Sequence, residues 1–586
     1  MLELIAPMGS VLFSWLLLSF LFGGLGIAVL KTLRQPLASG WDWLDSFWFG
    51  WALALCLMQI WHILYPVNDL LLYLFALLSV VLMFWQRGRL REILDRLARN
   101  RSFLVFYGLF AIWFANRALG APYAFDTGFR DIQIVMWLDA YPIVPGLGNL
   151  FSSFAFNHSV YLYDALLDAS IWSGRSYHIA TALLLLVYLA YALGGFIQMG
   201  QARAAEGLRW SRVFASLTIP FILFQTLGWN GIAHFLTDTV VDLIGLMTLV
   251  CLLDFLQYWR PGSSAHDYHL YRLAIIILTG LTIKQSFVIY GLATALLAII
   301  IWIRRGGLGA GSRRIAKTVL PIVLVALALL LPWMARGVIT SGYVAFPQSL
   351  GRFELDWTIP AEEIASRQLK LATNTRIREG DPAVVLASWD WLGPWLRDFT
   401  GNVFPTMLPT VLSVVALGAC LAAKRRDPGE KPSPSLSWWA FAPMIVMLVF
   451  WFYTAPEDKY VRYIFWGFAA LALTKAALAW RWIAWSRRAI ALRLLILLCL
   501  AYVVFLIVRS EENFLPAGPN DGFHANVMPN YSVFETADGL RINIPGAYQC
   551  WQIPLPCSPL PPEGLAQRVP GELRHGFRIM PTAEAG

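Results

Sequence analysis

Long apolar runs alternate with short polar segments along almost the whole chain of 586 residues. Runs of about 17–25 mainly apolar residues are typical of transmembrane helices. The run 272–303 is too long for one helix and is interrupted at 282–286, which predicts two short helices in a hairpin. Counting it twice predicts an all-α integral membrane fold with about fourteen spans. The other runs are 11–30, 46–64, 69–85, 103–119, 178–198, 213–229, 236–257, 316–335, 404–423, 436–454, 460–481 and 490–508.

Six basic segments separate these runs, and alternation of the predicted helices places all six on one side. Cytoplasmic loops carry an excess of Lys and Arg, so that side is predicted to be the cytoplasm. The N-terminus, the loops 120–177 and 336–403 and the tail 509–586 then face outward. The basic segments are 31–34, 87–101, 203–212, 304–317, 424–431 and 481–493.

This pattern divides the chain into three predicted parts. Residues 1–102 form N-terminal membrane helices, residues 103–508 form a membrane module with the two outer loops, and residues 509–586 form an outer cap. Pro and Gly recur every few residues in the tail, which predicts a small irregular or β-rich structure. The segment 355–398 mixes acidic, basic and Trp residues, which indicates one or two helices lying at the outer membrane interface.

The composition agrees with a polytopic membrane protein. Hydrophobic residues make up 58% of the chain and charged residues only 14%, with a mean hydropathy of +0.59. A soluble fold could not bury so much apolar surface. The 27 Trp and 37 Phe fit aromatic belts at the membrane surfaces. The net charge of +9 comes from short loops beside apolar runs, which excludes an extended nucleic-acid surface.

The six cysteines fall into two groups. Four lie inside apolar runs and are expected to be packing residues. Cys550 and Cys557 lie in the polar tail, where they can form a disulfide if the tail is in an oxidising compartment. That placement agrees with the outward orientation of the tail. The four packing cysteines are Cys56, Cys251, Cys420 and Cys499.

The long loop that follows the run 103–119 carries the first candidate chemistry. Asp126 and Asp131 are five positions apart, just beyond a predicted helix end where an aqueous cleft meets lipid. Loops this long between spans are usually functional. We interpret Asp126 as a general base, with Asp131 as its catalytic partner. The alternative is that Asp126 caps a helix starting near Thr127, because Asp is a favoured N-cap residue.

Ionisable residues inside apolar runs are costly and therefore functional candidates. Asp238 and Asp242 fall four apart on one helix face near the outer end of their run, where they either bind substrate or are simply solvated. Lys284 lies between two strongly apolar runs. An ammonium group there either binds an anionic ligand or extends from a hairpin tip to the membrane surface.

Further candidates lie at other outer helix ends. Arg336 closes an apolar run and either binds an anion or bonds to the last carbonyls of its helix. The connection 454–462 either is a self-neutralising turn or uses Lys459 and Arg462 to bind a phosphate, with Glu457 and Asp458 orienting them. His158 follows the outer loop and is either structural or part of the substrate site.

The chain has no Walker motif, no Rossmann glycine pattern and no Cys or His cluster with zinc spacing. A nucleotide-driven pump is therefore disfavoured. An outward-facing site also cannot be reached by a soluble nucleotide sugar, so a sugar donor used there must be linked to a lipid.

These residues resemble the GT-C superfamily of membrane glycosyltransferases, which use polyprenyl-phosphate sugars. In that family an acidic residue of the first large outer loop is the catalytic base, and Asp126 matches that position. An Asp at the outer end of a helix is similar to Asp242. The elements 282–286 and 331–347, with Lys284 and Arg336, also resemble recurring parts of the family.

The chain is closer still to a bacterial group of poorly characterised polytopic membrane proteins, from about residue 104 onward. That group usually has Tyr-His after its Asp-Thr-Gly-aliphatic unit, whereas this chain has Arg130-Asp131, which implies different substrate or metal use. The segments that carry the resemblance are 141–149, which ends at Asn149, the pair 356–357, and 450–456, 550–557 and 576–579.

The resemblance implies an inverting glycosyltransferase of a bacterial cytoplasmic membrane, with a site facing the periplasm or exterior. Asp126 takes the proton of an acceptor hydroxyl, while fixed cations stabilise the departing lipid phosphate. Loop 120–177, with Asn149 and His158, and the tail are expected to bind a glycan or lipid acceptor. No cofactor is required, although a divalent ion could assist. The phosphate-binding candidates are Lys284, Arg336, Lys459 and Arg462.

Two alternatives stay open. One is a polysaccharide polymerase or ligase that uses a lipid-linked oligosaccharide, which would rely on outer-loop Arg and His residues more than on Asp126. The other is a flippase or transporter of lipid-linked glycans, which would need charged residues strung across the membrane midplane and an inverted repeat.

Overall fold

The fold is described by a computed structural model that covers residues 2–33, 44–122, 124–202, 208–227, 231–260, 264–423, 436–480, 483–510 and 528–580. The predicted basic segment 424–431 lies outside the described residues, as do residue 34 and the ranges 203–207 and 481–482 of three others.

The first half of the chain is helical throughout. A π-helix, Thr127–Asp131, precedes α6. The α-helices are α1 Leu2–Thr32, α2 Leu44–Trp61, α3 Asp69–Trp85, α4 Arg87–Ala98, α5 Arg101–Ala118, α6 Ile132–Ala140, α7 Leu147–Leu150, α8 Val160–Leu167, α9 Ala180–Gln201, α10 Trp210–Leu217, α11 Ile219–Phe224, α12 Thr237–Tyr258 and α13 Ser264–Ile283.

The described residues of the second half add nine α-helices and four short strands. A second π-helix, Val403–Met407, leads into α19. The elements are α14 Val288–Arg304, α15 Ser312–Ser341, α16 Ala361–Asn374, α17 Pro382–Ala387, α18 Leu392–Gly401, α19 Leu408–Ala422, α20 Ala442–Thr454, α21 Arg462–Ala479 and α22 Trp485–Arg509, then β1 Tyr531–Glu535, β2 Arg541–Pro545, β3 Leu565–Gln567 and β4 Phe577–Ile579.

Eight helical segments of the described chain are long and apolar enough to cross a membrane, or nine if the bent pair α3 and α4 is one span. This is consistent with a multi-pass membrane protein, but the count is lower than the fourteen expected from the apolar runs. Some runs fold as shorter or broken helices. The run 213–229 divides at Thr218 into α10 and α11, and α20 has only 13 residues.

The run 272–303 forms two helices, as the interruption in its sequence predicts. Lys284 has extended backbone angles, with φ −158° and ψ 143°, so α13 ends before it and a 3₁₀ turn leads into α14. The two helices pack against each other, and Phe287 lies against Gly280 and Gly291 where they meet. The side chain of Lys284 is thereby presented at a break between two helices.

Burial separates central helices from peripheral ones. The most apolar window of α12 is fully buried inside the protein, whereas that of α15 is only 11% buried. A helix that exposes an apolar surface all along its length is stable when lipid covers that surface. Helices α9 and α12 therefore form the centre of the bundle, and α15 and α22 lie on its outside.

The helices have two chemically different ends. At the end that we call the basic end, Arg305 donates to the Leu256 carbonyl oxygen over 2.9 Å, and Arg209 lies over the Tyr258 ring. The end of α1, the end of α12 and the start of α22 lie at this end. The opposite end, which we call the cavity end, carries the segments after α5, between α13 and α14, after α15 and between α20 and α21.

A small cap of two antiparallel hairpin-like sheets covers the cavity end. In the first sheet Tyr531 pairs with Pro545, and in the second Leu565 pairs with Ile579. Cys550 and Cys557 form the expected disulfide, with their Cα atoms 6.0 Å apart. The described part of the tail is thus a disulfide-containing cap rich in short strands, as its sequence predicts. The predicted domain boundaries at 102 and 508 stay predictions.

Candidate active site

A large cavity of about 2010 Å³ opens at the cavity end of the bundle. It exceeds the roughly 300–1,000 Å³ of common ligand pockets, so two substrates could occupy it together. Its lining comes from the loop after α5, residues 148–158, the break between α13 and α14, the segment 344–386 and the connection between α20 and α21. Segments that are far apart in sequence therefore share one chamber.

Asp126 enters this cavity as one partner of an ion pair. The π-helix starts at Thr127, and the Asp126 carboxylate makes no capping hydrogen bond, so the capping alternative is wrong. Instead Arg130 Nη2 donates to Asp126 Oδ2 over 2.8 Å, and Arg130 Nε donates to Asp131 Oδ1 over 2.9 Å. The side chain of Asp126 is 37% exposed, whereas that of Asp131 is 1% exposed. Of the two carboxylates, only Asp126 can meet a substrate.

Asp131 is the buried carboxylate of this group and bonds to Arg130 from the side away from the cavity. Tyr161 donates its hydroxyl to Asp131 Oδ1 over 2.7 Å, and Asp131 does not line the cavity. Burial raises the pKa of Asp131 to about 6, and the Arg130 guanidinium opposes that rise. Asp131 therefore holds Arg130 and Tyr161 in place, and its charge depends on pH near neutrality.

The C-terminal cap holds the π-helix from outside. Trp551 N–H donates to the Gly128 carbonyl oxygen over 2.9 Å, and Gln133 Nε2 donates to the carbonyl oxygens of Trp551 and Ile553. A Cβ atom on Gly128 would lie only 2.2 Å from the Trp551 ring, so no larger residue fits there without movement. The loop closed by the Cys550–Cys557 disulfide thus packs directly on the turn that carries Asp126.

A second charged group faces the same cavity. Lys284 Nζ lies 2.6 Å from Asp238 Oδ1, and Lys459 Nζ lies 3.0 Å from Glu457 Oε1. The Tyr460 ring lies between the two lysines, 5.8 Å from Lys284 Nζ and 5.2 Å from Lys459 Nζ. Two ammonium groups are therefore held around one aromatic ring, each with its own carboxylate.

The environment of Lys459 keeps its ammonium group charged. Burial alone would lower the pKa of Lys459, but Tyr460, Glu457 and Asp238 together raise it above its usual value. His158 is affected in the opposite direction, because burial and then the Lys284 and Arg130 charges lower its pKa well below the usual range. The positive charge near this part of the cavity thus comes from lysine and arginine, and His158 is neutral.

Four arginines that the sequence did not identify as site residues also line the cavity, namely Arg130, Arg367, Arg376 and Arg378. The guanidinium of Arg130 lies 5.3 Å from the Phe156 ring centroid, and that of Arg367 lies 5.5 Å from the same ring. Arg130 could have been recognised from its position four residues after Asp126 on a helix. Nothing in the sequence links Arg367, on α16, to that loop.

The charge of the cavity lining favours an anionic ligand. It contains seven basic and five acidic side chains, so the cations exceed the carboxylates. Beside them lies an apolar wall made from α14, α15 and α20, which includes Leu292, Met334 and Phe450. Those three side chains are also exposed at the surface of the protein. The cavity is therefore open toward the side where lipid would lie, and suits an amphipathic anion.

The structure brings together some of the residues expected from sequence and leaves others outside. Asn149 lines the cavity, but its amide nitrogen donates to the carbonyl oxygens of Trp357 and Phe577 and ties α7 to the cap. The predicted residues that line the cavity are Asp126, Asn149, His158, Asp238, Lys284, Glu457 and Lys459. Those that do not are Asp131, Asp242, Arg336, Asp458 and Arg462.

Three of the residues outside the cavity are buried close behind it. Asp242 accepts a hydrogen bond from Gln225 Nε2 over 2.7 Å, one turn after Asp238 on α12. Arg462 begins α21 and is buried. Arg336 lies near the end of α15 beside a separate small chamber. Contacts of these three residues with a substrate stay predictions. Their positions behind the cavity wall do not favour direct contact.

A family model matches residues 8–469, about four fifths of the chain. The chain belongs to the family described as Domain of unknown function (DUF8201). The matched range includes both charged groups of the cavity, from Asp126 to Tyr460, and stops before the C-terminal cap. No curated protein and no solved structure matches the chain.

The described residues contain no group of three or more His, Cys, Asp or Glu side chains arranged to hold a metal ion. The carboxylates of the cavity are instead paired with cations, Asp126 with Arg130 and Asp238 with Lys284. The chemistry available to this family member at the cavity is proton transfer at a carboxylate and anion binding at lysine and arginine. Assistance by a divalent ion stays a prediction.

Proposed function

We propose that the protein is an inverting membrane glycosyltransferase of the GT-C kind, which moves a sugar from a polyprenyl-phosphate donor to a glycan or lipid acceptor. The observation that carries the proposal is one cavity in which an exposed carboxylate, Asp126, and two ammonium groups, Lys284 and Lys459, lie beside an apolar wall. The proposal does not depend on whether the spans number eight or fourteen.

The donor is assigned to the Lys284 and Lys459 side of the cavity. A phosphate that links sugar to lipid is an anion, and charge-assisted hydrogen bonds from ammonium groups bind it strongly. The polyprenyl chain would lie along the apolar wall of α14, α15 and α20, between Leu292 and Phe450, where the cavity opens at the protein surface. This arrangement fixes the head group while the chain remains in lipid.

The transfer step follows from these positions. An acceptor hydroxyl oxygen attacks the anomeric carbon, and the bond from that carbon to the phosphate oxygen breaks. The leaving polyprenyl phosphate keeps the electron pair, and Lys284 and Lys459 stabilise its growing charge. Asp126 accepts the hydroxyl proton, as a positioned general base does. Attack opposite to the leaving group inverts the anomeric centre.

The proposed orientation places the cavity on the periplasmic or outer side of a bacterial cytoplasmic membrane. The support is the position of Arg209 and Arg305, which belong to two of the predicted cytoplasmic basic segments and lie at the end remote from the cavity. Lys and Arg favour the cytoplasmic side. The Cys550–Cys557 disulfide next to the cavity also fits an oxidising compartment.

A second candidate function is a polysaccharide polymerase or ligase that uses a lipid-linked oligosaccharide. The observation in its favour is that Arg130 and Arg367 flank Phe156 in the same cavity, close to His158. Arginine and histidine would then carry the main chemistry. The two candidates differ in whether loss of the Asp126 carboxylate stops transfer.

The test is the Asp126→Asn variant, purified in detergent and reconstituted with polyprenyl-phosphate sugars and a panel of acceptors. Transfer should fall by about 10²–10⁴-fold, the usual contribution of a general base. Donor binding should stay near that of the unchanged protein, because the lysines are intact. Mass spectrometry of co-purified lipids identifies the donor, and transfer of its sugar to an acceptor argues against a transporter.

Asp398→Asn is the matched control, because Asp398 is an exposed carboxylate on α18 that does not line the cavity. Its transfer rate should be unchanged. Full activity in Asp126→Asn removes the base assignment and favours the polymerase or ligase. Transport of a lipid-linked glycan by the reconstituted protein, without transfer of sugar to any acceptor, would replace both enzymes.

A further inference from the structure

A second, much smaller chamber lies behind the wall of the large cavity. Its volume is about 30 Å³. Phe156 and His158 line both spaces, so these two side chains separate them. The polar side chains that line the small chamber include His62, Trp137, Asn157, His158, Tyr161 and Arg336.

Arg336 brings a charge into this chamber without a carboxylate partner. Its side chain is only 4% exposed, and its Nε and Nη1 atoms have no hydrogen-bond partner in the described structure. Among the described residues that line the chamber there is no Asp or Glu. Isolated buried charges cost several kcal/mol, and the C-terminal dipole of α15 offsets only about 1 kcal/mol or less of that.

The other polar groups of the chamber are mixed in character. Trp137 Nε1 is a donor without a partner in the described structure, Asn157 Oδ1 is an acceptor without one, and His158 Nδ1 also has no partner there. Burial and then the Arg336 charge lower the pKa of His62 well below its usual range, so His62 is a neutral ring, and it interacts with the backbone of Tyr141. Tyr161 already gives its hydroxyl to Asp131. A buried guanidinium without a carboxylate partner, next to the free N–H of Trp137, matches a small anion.

The size of the chamber selects the class of anion. A volume of this size holds one or two water-sized bodies, which is also the room that a monatomic anion needs. A phosphate or a carboxylate ligand would require Phe156 or His158 to move. We propose that the chamber is a buried halide site, occupied by chloride, in which Arg336 provides the charge and the neighbouring N–H groups complete the coordination.

The proposed ion has a structural consequence for the large cavity. The rings of Phe156, His158 and Tyr161 are stacked, with centroids 5.4 Å apart in each successive pair, and they form the wall between the two spaces. An anion held by Arg336 supports this wall from behind. The site is independent of the proposed transferase activity, since the chamber is separate from the residues assigned to donor and base.

The experiment measures the thermal midpoint of the purified protein against chloride concentration, with gluconate replacing chloride at constant ionic strength. The midpoint should rise by about 1–3 °C per tenfold increase in chloride above the dissociation constant, because a ligand that binds only the folded state stabilises it. Bromide should replace chloride, and gluconate, which is too large, should not. Arg336→Gln should remove the dependence.

Arg352→Gln is the matched control, since Arg352 is a largely exposed arginine of the segment just after α15. It should keep the full chloride dependence. Equal chloride dependence in Arg336→Gln and the unchanged protein overturns the proposal. If Arg336→Gln fails to fold, anomalous diffraction from bromide-soaked crystals of the unchanged protein decides. A bromide peak beside Arg336 supports the site, and a peak absent there overturns it in favour of water.

Discussion

Helix α12 carries an ion pair at each end, and the two pairs have different surroundings. Asp238, in its first turn, pairs with Lys284 at the large cavity. Asp254, near its last turn, pairs with Arg272 Nη1 at 2.5 Å, and Arg272 Nη2 pairs with Asp45 at 2.9 Å. The sixteen residues between Asp238 and Asp254 correspond to about 24 Å of α-helix.

The Arg272 group is closed on all sides. Tyr268 donates its hydroxyl to Asp45, and Ser211 donates to Asp254, so both carboxylates receive further hydrogen bonds. It joins four elements, namely α2, α10, α12 and α13, and every member is buried. The pairs of the cavity end instead border open space, and Lys459 is 39% exposed. Buried charge thus serves packing at the basic end, whereas at the cavity end it borders open space, where we propose that it binds a ligand.

The largest effect is expected on the stability of the fold, when the Arg272 group at the basic end is disrupted. Arg272→Met removes the cation that the buried carboxylates of Asp45 and Asp254 share, which should destabilise the protein by about 3–5 kcal/mol. The measurement is the thermal midpoint and the yield of monodisperse protein in detergent. Arg313→Met, a change of an exposed arginine on α15, is the control and should be neutral. A normal midpoint in Arg272→Met would mean that the group contributes little to stability.

The next effect is on ligand binding at the other end of α12. Lys284→Met should raise the donor KM by about 10–100-fold, the value of a hydrogen bond to a charged group. The fold should survive, because Lys459 also lies near Asp238 and can offset its charge. Steady-state kinetics with varied donor give the KM, and the thermal midpoint reports on the fold.

Lys475→Met provides the matched control for Lys284→Met. Lys475 is also partly buried and donates to the Leu436 carbonyl oxygen, but it lies on α21 outside the cavity. Its donor KM should be unchanged. An unchanged KM in Lys284→Met, or an equal rise in both variants, would argue against a phosphate at Lys284.

The sequence predicts the helices and the C-terminal cap well because their signals are local. Apolar length marks α9, α12 and α15, and the spacing of Cys550 and Cys557 in a polar tail marks the disulfide. The interruption at Lys284 correctly divides α13 from α14. The span count was less well predicted, because a run such as 213–229 does not reveal that its helix breaks at Thr218.

The site is harder to predict because its geometry depends on long-range contacts. The sequence placed Asp126, Lys284 and Lys459 together on the outer side, and all three line one cavity. It gave Arg336 the same role, but the direction in which a side chain leaves a long helix depends on packing, and Arg336 lies beside the small chamber. The ion pair of Asp238 and Lys284 joins residues that are 46 positions apart, and no local sequence pattern predicts it.

A smaller effect is expected where the cap meets the turn that carries Asp126. Gly128→Ala places a methyl group against the Trp551 ring, and overpacking of this kind usually costs about 1–3 kcal/mol. The strain is local to the π-helix, so transfer should fall about tenfold while donor KM changes little. Kinetic assays together with the thermal midpoint separate the two effects.

Gly108→Ala is the control for this change, because nothing lies within 4 Å of the added methyl group on α5. It should have normal activity. A second variant, Gly128→Ala combined with Trp551→Leu, should recover part of the rate by making room. If Gly128→Ala were fully active, the cap would not position Asp126.

The smallest effect expected is a pH dependence that separates Asp131 from Asp126. Because the pKa of Asp131 is raised to about 6, it is charged and paired with Arg130 above that pH and becomes protonated below it. Once Asp131 is neutral, the Arg130 guanidinium pairs with Asp126 alone and competes with the acceptor hydroxyl for that carboxylate. Transfer should therefore fall several-fold as the pH drops through about 6, measured as kcat/KM. Asp131→Asn, which resembles the protonated form, should be slow at every pH and should not show this fall in kcat/KM near pH 6. A fall in kcat/KM near pH 6 that persists in Asp131→Asn would mean that another group causes the pH dependence.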